Sequence, residues 1–235
     1  MSNINTGIEW TDRTWNPVTG CTKISSGCAH CYAEAITKRF PNSFPDGFKI
    51  VQHPDRLNAP RRWRKPSRIF VNSMSDLFHA EVDLDFVEQV FDVIRETPQH
   101  TYQVLTKRAA LMLEASKHLE WPENLWAGVS VESQGYVRRV DYLRRVPAAV
   151  RFLSCEPLLG ALDLDLTDIH WVITGGESGH KHRWIDPDWV RGIRDRCIET
   201  QTPFFFKQWG GITPKKNGRE LDGRTWEQFP RGESC

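Results

Sequence analysis

Cys21, Cys28 and Cys31 fall within eleven residues of a 235-residue chain, in the run Val18-Thr-Gly-Cys-Thr-Lys-Ile-Ser-Ser-Gly-Cys-Ala-His-Cys-Tyr32. Three thiolates on one loop are soft ligands, and the chemistry they offer is that of a metal or an iron–sulfur cluster. Gly20 and Gly27 let such a loop turn tightly enough to aim three sulfurs at one point, with backbone N–H groups left to hydrogen-bond the sulfides. Three protein ligands on a four-iron cluster leave one iron open, and an open iron is a position for a substrate. A structural zinc site could use the same cysteines with His30, but such sites usually draw their remaining ligands from a second pair. Cys155 and Cys197 are isolated in the sequence. Ordinary buried thiols are the third reading, and the iron–sulfur reading is favoured.

Polar residues recur where β-rich runs end. They are Asn72-Ser-Met-Ser-Asp76, Thr106-Lys-Arg108, Ser130-Val-Glu132-Ser133, Ser154-Cys-Glu156, Thr174-Gly-Gly-Glu177 and Lys207-Gln208-Trp209. Any one of them reads as well as a helix cap or first-turn residue. The recurrence of Glu132, Glu156 and Glu177 at equivalent positions is the stronger signal, because a cap tolerates many residue types and a cation does not.

The elements that must position these groups are seven strands, expected over 14–18, 69–73, 102–106, 125–131, 151–155, 171–175 and 204–209. They alternate with helices expected over 29–40, 84–96, 109–118, 136–146 and 188–200. Strand–helix alternation is the signature of parallel β/α units. Phe86, Val87, Val90, Phe91 and Ile94 make one apolar helical face, and Asp186 with Pro187 marks a helix start. The fold class is therefore α/β, a partial (β/α) barrel of six to seven parallel strands. In such barrels the carboxyl ends of the strands hold the active site. Residues 41–66 form a basic, Pro-rich connection, and 211–235 a polar C-terminal tail whose end, 231–235, is expected to be loose. One domain, 1–235, accommodates all of this.

A hydrophobic share of 39% and a charged share of 26% suit a folded, water-facing chain. Thirty-one basic against 30 acidic residues give a net charge of +1, which excludes a uniformly basic nucleic-acid coat. No apolar run is long enough to span a bilayer, and the first residues lack the pattern of a signal peptide, so the expected location is cytoplasmic, without a membrane partner. Ten tryptophans are read first as packing residues.

The cysteine loop after a first strand, followed by β/α units, resembles the radical S-adenosylmethionine (SAM) superfamily, whose fold is a TIM-type barrel. More closely, Trp10-Thr-Asp-Arg-Thr-Trp-Asn-Pro-Val-Thr-Gly-Cys21, Gly27-Cys-Ala-His-Cys-Tyr-Ala33, Ser154-Cys-Glu-Pro-Leu158 and Gly175-Gly-Glu-Ser-Gly179 resemble a phage-associated family of radical-SAM-like proteins of unknown function. Its members are also called three-Cys-motif proteins, and some are encoded beside a three-Cys-motif partner protein. The resemblance implies that Cys21, Cys28 and Cys31 hold a [4Fe-4S] cluster whose fourth iron chelates S-adenosylmethionine, which an electron from an unidentified donor cleaves to a 5′-deoxyadenosyl radical. It places Asn72, Ser73 and Asp76 where the superfamily contacts the methionine amine, and Ser130 and Glu132 at the ribose, with Glu156 a further cofactor contact. Three features depart from the superfamily pattern: six residues rather than three between the first two cysteines, His30 in the place of an aromatic residue, and Asn72-Ser-Met-Ser-Asp76 in place of Gly-Gly-Glu.

Two further functional classes stand beside the radical enzyme. In the enzyme, Glu177, Lys107, Lys207 and Gln208 face the substrate, and nucleic acid or a nucleotide is the candidate, held by Arg61-Arg-Trp-Arg-Lys65. The alternative is a non-catalytic iron–sulfur or zinc protein acting with a partner. The third is a barrel hydrolase built on Glu132, Glu156 and Glu177, which leaves the cysteines without a role.

Overall fold

The computed structural model describes residues 6–213 and 216–230. Seven strands form one sheet: β1 (Arg13–Trp15), β2 (Arg68–Val71), β3 (Thr101–Thr106), β4 (Leu125–Ser130), β5 (Arg151–Cys155), β6 (Trp171–Gly175) and β7 (Phe204–Gln208). Each pairs in parallel with the next, in chain order. The sheet is curled into a half-barrel, the α/β architecture expected from the alternation. Helices α1 (Tyr32–Arg39), α2 (Leu84–Glu96), α3 (Ala109–Ala115), α4 (Arg139–Arg144) and α5 (Pro187–Glu199) occupy the connections, except between β5 and β6, where the chain is irregular.

Strand alternation sorts the side chains into two layers. Ile69, Val71, Tyr102, Val104, Ala127, Val129, Leu153, Val172, Phe204 and Phe206 point outward into one core with the helices. Helix α2 adds Phe86, Val87, Val90, Phe91, Val93 and Ile94 to it, all buried, each burial contributing roughly 1.5–3 kcal/mol. The opposite phase lines the concave face. Its lower level is aromatic: Trp10, Phe70, Trp126, Phe152, Trp171 and Phe205 pack as a second cluster. Trp171 is its hub, with centroids 6.0 Å from Trp126, 5.7 Å from Phe152, 6.1 Å from Phe205 and 5.1 Å from Phe229. Gly128 makes room for this floor, since a Cβ there would lie 2.3 Å from the Phe152 ring. Gly128→Ala is expected to cost about 1–3 kcal/mol of stability by overpacking, read from the urea midpoint.

Several boundaries differ from the sequence expectation. The first strand stops at Trp15, and after Pro17 the chain pairs antiparallel with the connection, Val18–Thr19 against Val51–Gln52. Proline has no N–H to continue the ladder. Strand β2 ends at Val71 because Asn72 turns the chain with φ 61°. Helices α1 and α4 are shorter than expected, each preceded by a 3₁₀ turn, at Ser26–Cys28 and Gln134–Tyr136. Asp186 caps α5 as expected, accepting from the Asp188 N–H at 2.9 Å. The loose end expected at 231–235 lies outside the described residues, and the polar segment before it is hydrogen-bonded to the sheet. It forms a hairpin of Glu220–Leu221 and Arg224–Thr225, buries Trp226, and bonds to β7 from Trp226 and Gln228. Phe229 then lies under the Arg68 guanidinium, 4.3 Å from its ring centroid, and ties the base of β7 to the base of β2. Among the described residues, no helix is long and apolar enough to cross a membrane.

Candidate functional site at the barrel mouth

On the inner face the sequence changes character along every strand. Above the aromatic floor come Gln103, Gly128 and Ser154, and at the carboxyl ends Lys107, Ser130, Glu132, Glu156, Glu177 and Lys207. The period of two carries Glu132, Glu156, Glu177 and Lys207 to the same side as the aromatic residue below each, and Lys107 to the side of Gln103 and Leu105. The cysteine loop follows β1 directly, so it rises at this same end.

Gly20 anchors the loop. Its φ is +86°, it bridges to Ser75, and a Cβ would lie 1.8 Å from the Lys49 carbonyl oxygen. Gly20→Ala is expected to destabilise the fold by at least ~2 kcal/mol and to lower metal retention with it, checked by urea unfolding and metal content. Cys21, Cys28 and Cys31 are unpaired and part-exposed. Cys21 Sγ lies 3.5 Å from Arg108 Nη1, and Cys28 Sγ 3.5 Å from Ser25 Oγ. Burial and Asp76 push the Cys21 thiol pKa up against the pull of Arg108. For Cys28 burial is opposed and outweighed by hydrogen bonds at Ser25 and Ile24 and by the Lys107 charge, which lower its pKa. As placed, the thiols do not converge: among the described residues no three His, Cys, Asp or Glu side chains could hold a metal ion. The donor chemistry nonetheless fits an iron–sulfur group, because the loop carries three free thiols, and ligands on a loop are commonly gathered by the metal itself.

Three buried ion-pair clusters support the loop. Asp76 accepts from Phe78 N at 3.1 Å, Thr106 Oγ1 at 2.7 Å, Lys107 N at 3.2 Å and Arg108 Nη1 at 3.0 Å. Arg108 in turn donates to Thr22 O and Oγ1 at 3.0 and 2.9 Å. Glu132, fully buried, accepts from Ser25 Oγ at 2.6 Å and Arg139 Nη1 at 2.7 Å, with Lys107 Nζ at 3.5 Å. Burial raises its pKa, but Lys107, Arg139 and Ser25 together hold it below the usual carboxylate range. Gly27 rests on this carboxylate: a Cβ there would lie 2.5 Å from Glu132 Cγ.

The third cluster is Glu177, which accepts from His30 Nδ1 at 3.0 Å and from Arg183 at N, Nε and Nη2, at 2.9, 2.9 and 2.5 Å. Burial works against ionisation, yet Arg183 and His30 depress the Glu177 pKa to about 2. A depressed carboxylate contributes stability that is present above its unfolded value of 4.5 and lost as pH falls towards about 2. Acid titration of unfolding free energy should show this loss in the wild type and a flatter limb in Glu177→Gln; equal slopes would remove Glu177 from the account.

The remaining expected residues are placed as follows. Lys207 Nζ pairs with Glu156 Oε1 at 2.6 Å across β5 and β7. Lys107 Nζ reaches Ser130 Oγ at 3.2 Å. Ser73 donates to Asn16 Oδ1 at 3.2 Å, and its carbonyl accepts from Tyr32 OH. Asn72 is buried, takes the Val18 N–H on Oδ1 at 3.2 Å, and leaves Nδ2 without a partner. Gln208 donates to Ser178 Oγ at 2.7 Å. The strand-end residues are thus gathered at one mouth, but as charge pairs rather than as free ligands.

Arg61-Arg-Trp-Arg-Lys65 is not at this mouth. It precedes β2 and so lies at the amino ends of the strands, where Arg61 donates to Glu96 at 2.7 Å and Trp63 sits between Arg13 and His100. Sequence reasoning missed the partners Arg139 and Arg183 and the anchoring roles of Ser25 and Arg108. The Glu132 to Arg139 spacing across a helix start was the one available signal. Two depressions flank the site: a pocket of about 190 Å³ beside Arg183 and Trp184, and a shallow one of about 500 Å³ beside Gln52 and Asp83. Neither lies over the cysteines.

A family model described as "Protein of unknown function (DUF5131)" matches residues 5–230. No curated protein matches the chain. Among solved structures, a mutant of spore photoproduct lyase matches at 16% identity and TM-score 0.47, over 80% of this chain and 62% of that one. A double mutant of the same enzyme with bound AdoMet and dinucleoside spore photoproduct matches at 15% identity and TM-score 0.45, over 79% and 61%. A complex with dinucleoside spore photoproduct matches at 14% and 0.44, over 77% and 59%. The chain thus spans about three fifths of these structures, and at these values the likeness carries no functional argument.

Proposed function

We propose, for a chain that belongs to the DUF5131 family, that Cys21, Cys28 and Cys31 hold a [4Fe-4S] cluster and that the protein is a radical S-adenosylmethionine enzyme. The observation that carries this reading is the position of three free, part-exposed thiols on one loop at the carboxyl end of β1, above a mouth of charged strand ends. Such a cluster, with S-adenosylmethionine on its open iron, would supply one-electron cleavage of the sulfonium and a 5′-deoxyadenosyl radical.

The chain's own residues account for the surroundings. Arg108 and Ser25 donate towards Cys21 and Cys28 and balance the negative charge of thiolates. Glu132 and Asp76 hold the two ends of the loop from beneath. Asn72, Ser73, Ser130 and Glu156 are assigned to S-adenosylmethionine, with Asn72 Nδ2 a buried donor available for its carboxylate. Lys107, Glu177 and Lys207 are assigned to the substrate side, where Glu177 spans from the loop to β6. A one-electron donor, and a partner chain, belong to this reading.

One observation favours a second reading. His30 Nδ1 is hydrogen-bonded to Glu177, and a carboxylate on one ring nitrogen is the usual support for a metal on the other. That arrangement would suit a structural zinc site of Cys21, Cys28, Cys31 and His30.

Anaerobic reconstitution with iron and sulfide, reduction with dithionite and assay for 5′-deoxyadenosine separates the two. The expected result is about four irons per chain and 5′-deoxyadenosine that disappears in each cysteine-to-serine variant. Zinc in place of iron would overturn the reading, and a cluster without cleavage would leave only a structural or electron-transfer role.

A further inference from the structure

The run Gly179-His-Lys-His-Arg-Trp184 leaves β6 on the mouth side, and its last three residues, His182, Arg183 and Trp184, line the pocket of about 190 Å³ together with Pro187, Trp209 and Asn217. Trp184 is 68% exposed, the largest exposure among the exposed large hydrophobic residues, although its ring meets Trp189 edge-on at 6.0 Å. An indole held this far out contributes little to the core and offers a flat apolar face to a ligand. Lys181, three residues before it in the chain, is exposed and supplies a cation on the same short segment.

The pocket is joined to the cysteine loop by hydrogen bonds. Arg183, adjacent to Trp184, binds Glu177 through both its guanidinium and its backbone N–H, and Glu177 holds His30 between Cys28 and Cys31. The wall is fixed by close backbone packing, since a Cβ on Gly176 would lie 2.0 Å from the Trp209 carbonyl oxygen.

We propose that this pocket is a base-binding subsite for single-stranded nucleic acid, in which Trp184 stacks a nucleobase and Lys181 takes an adjoining phosphate. The proposal rests on the radical-enzyme reading and names its substrate class. A ring that stacks on an indole must be free of its neighbours in a duplex, and the pocket has the volume of a single ring system, so an unpaired strand is the form that fits. With a net charge of only +1 on the whole chain, attraction to phosphate must come from such a local group rather than from a general field.

The test is fluorescence anisotropy of labelled oligothymidylate and oligouridylate with the reconstituted full-length protein across a salt series. Binding is expected, weakened about tenfold in Trp184→Ala and largely restored in Trp184→Phe, with iron and sulfide content unchanged in both. Lys181→Ala should reduce the salt slope by about 0.7, the contribution of one phosphate contact. Equal affinity of wild type and Trp184→Ala, equal binding of duplex, or full competition by thymidine monophosphate at equal nucleotide concentration would each overturn the proposal. Its failure is separable from that of the enzyme reading: absence of 5′-deoxyadenosine sinks the latter, whereas Trp184-dependent strand binding is read without turnover.

Discussion

Asp76→Ala should destabilise the protein by about 3–5 kcal/mol, the cost of leaving a buried charge without its partner. Asp76 and Arg108 side chains are each only 7% exposed, and Asp76 accepts four hydrogen bonds, one from Phe78 and three from the run Thr106-Lys-Arg108. Truncation leaves the Arg108 guanidinium with Thr22 and the Cys21 sulfur alone. Urea unfolding of the protein reads the loss, and Asp76→Ala with Arg108→Met should recover part of it, because removing both charges removes the unpaired one. A second readout isolates the loop. Asp76 pushes the Cys21 pKa up and Arg108 pulls it down, so in Asp76→Asn the Cys21 thiol should titrate lower and alkylate faster at neutral pH. A variant within 1 kcal/mol of the wild type, with unchanged alkylation, would show that the pair does not hold the loop.

Glu132→Ala should have an effect of the same size, about 3–5 kcal/mol, for a different reason. Its carboxylate has no exposure at all and is the only acidic side chain paired with Arg139 among the described residues, with Lys107 as a second cation. It also forms the surface on which Ser25 and Gly27 rest. Stability should fall, and iron retention after reconstitution should fall further than global unfolding explains, because the loop loses its support while the sheet remains. Sign and pH window follow from the depressed pKa: the stabilisation is complete above the unfolded value of 4.5 and is lost as pH drops through the lower folded value. Glu132→Gln should therefore show a weaker acid dependence than the wild type. If iron retention were normal in Glu132→Ala, the carboxylate would serve the sheet and not the cysteine loop.

The fold was legible because two signals in the sequence agree. Short β-rich runs such as Phe204–Gln208 and the helical spacing of segments such as Leu84–Glu96 between them point to the same parallel architecture, and all seven strands lie within a few residues of expectation. Short helices were overestimated where a 3₁₀ turn carries the chain in, as at Gln134–Tyr136, since a turn and a first helical turn share composition. The strand-end carboxylates were legible as a set. Their partners were harder to read, because Arg139 and Arg183 come from the following helix or loop, and only the Glu132 to Arg139 spacing across a helix start hinted at a pair. A basic, aromatic composition such as that of Arg61–Lys65 carries no information about which end of a sheet it joins, and its position just before β2 decides that.

The aromatic floor closes the half-barrel at its base. Trp10, Trp126 and Trp171 fill that level, and Phe229 lies there against Trp171 and the Arg68 guanidinium. Whatever travels along the barrel axis must therefore come and go through the mouth. Traffic through a blind vessel is sequential: what enters last has to leave first, and a molecule lying across the mouth seals the interior without any hinged flap. An enzyme built this way would load its cofactor before its substrate, and would keep water from a reactive intermediate by the substrate's own bulk.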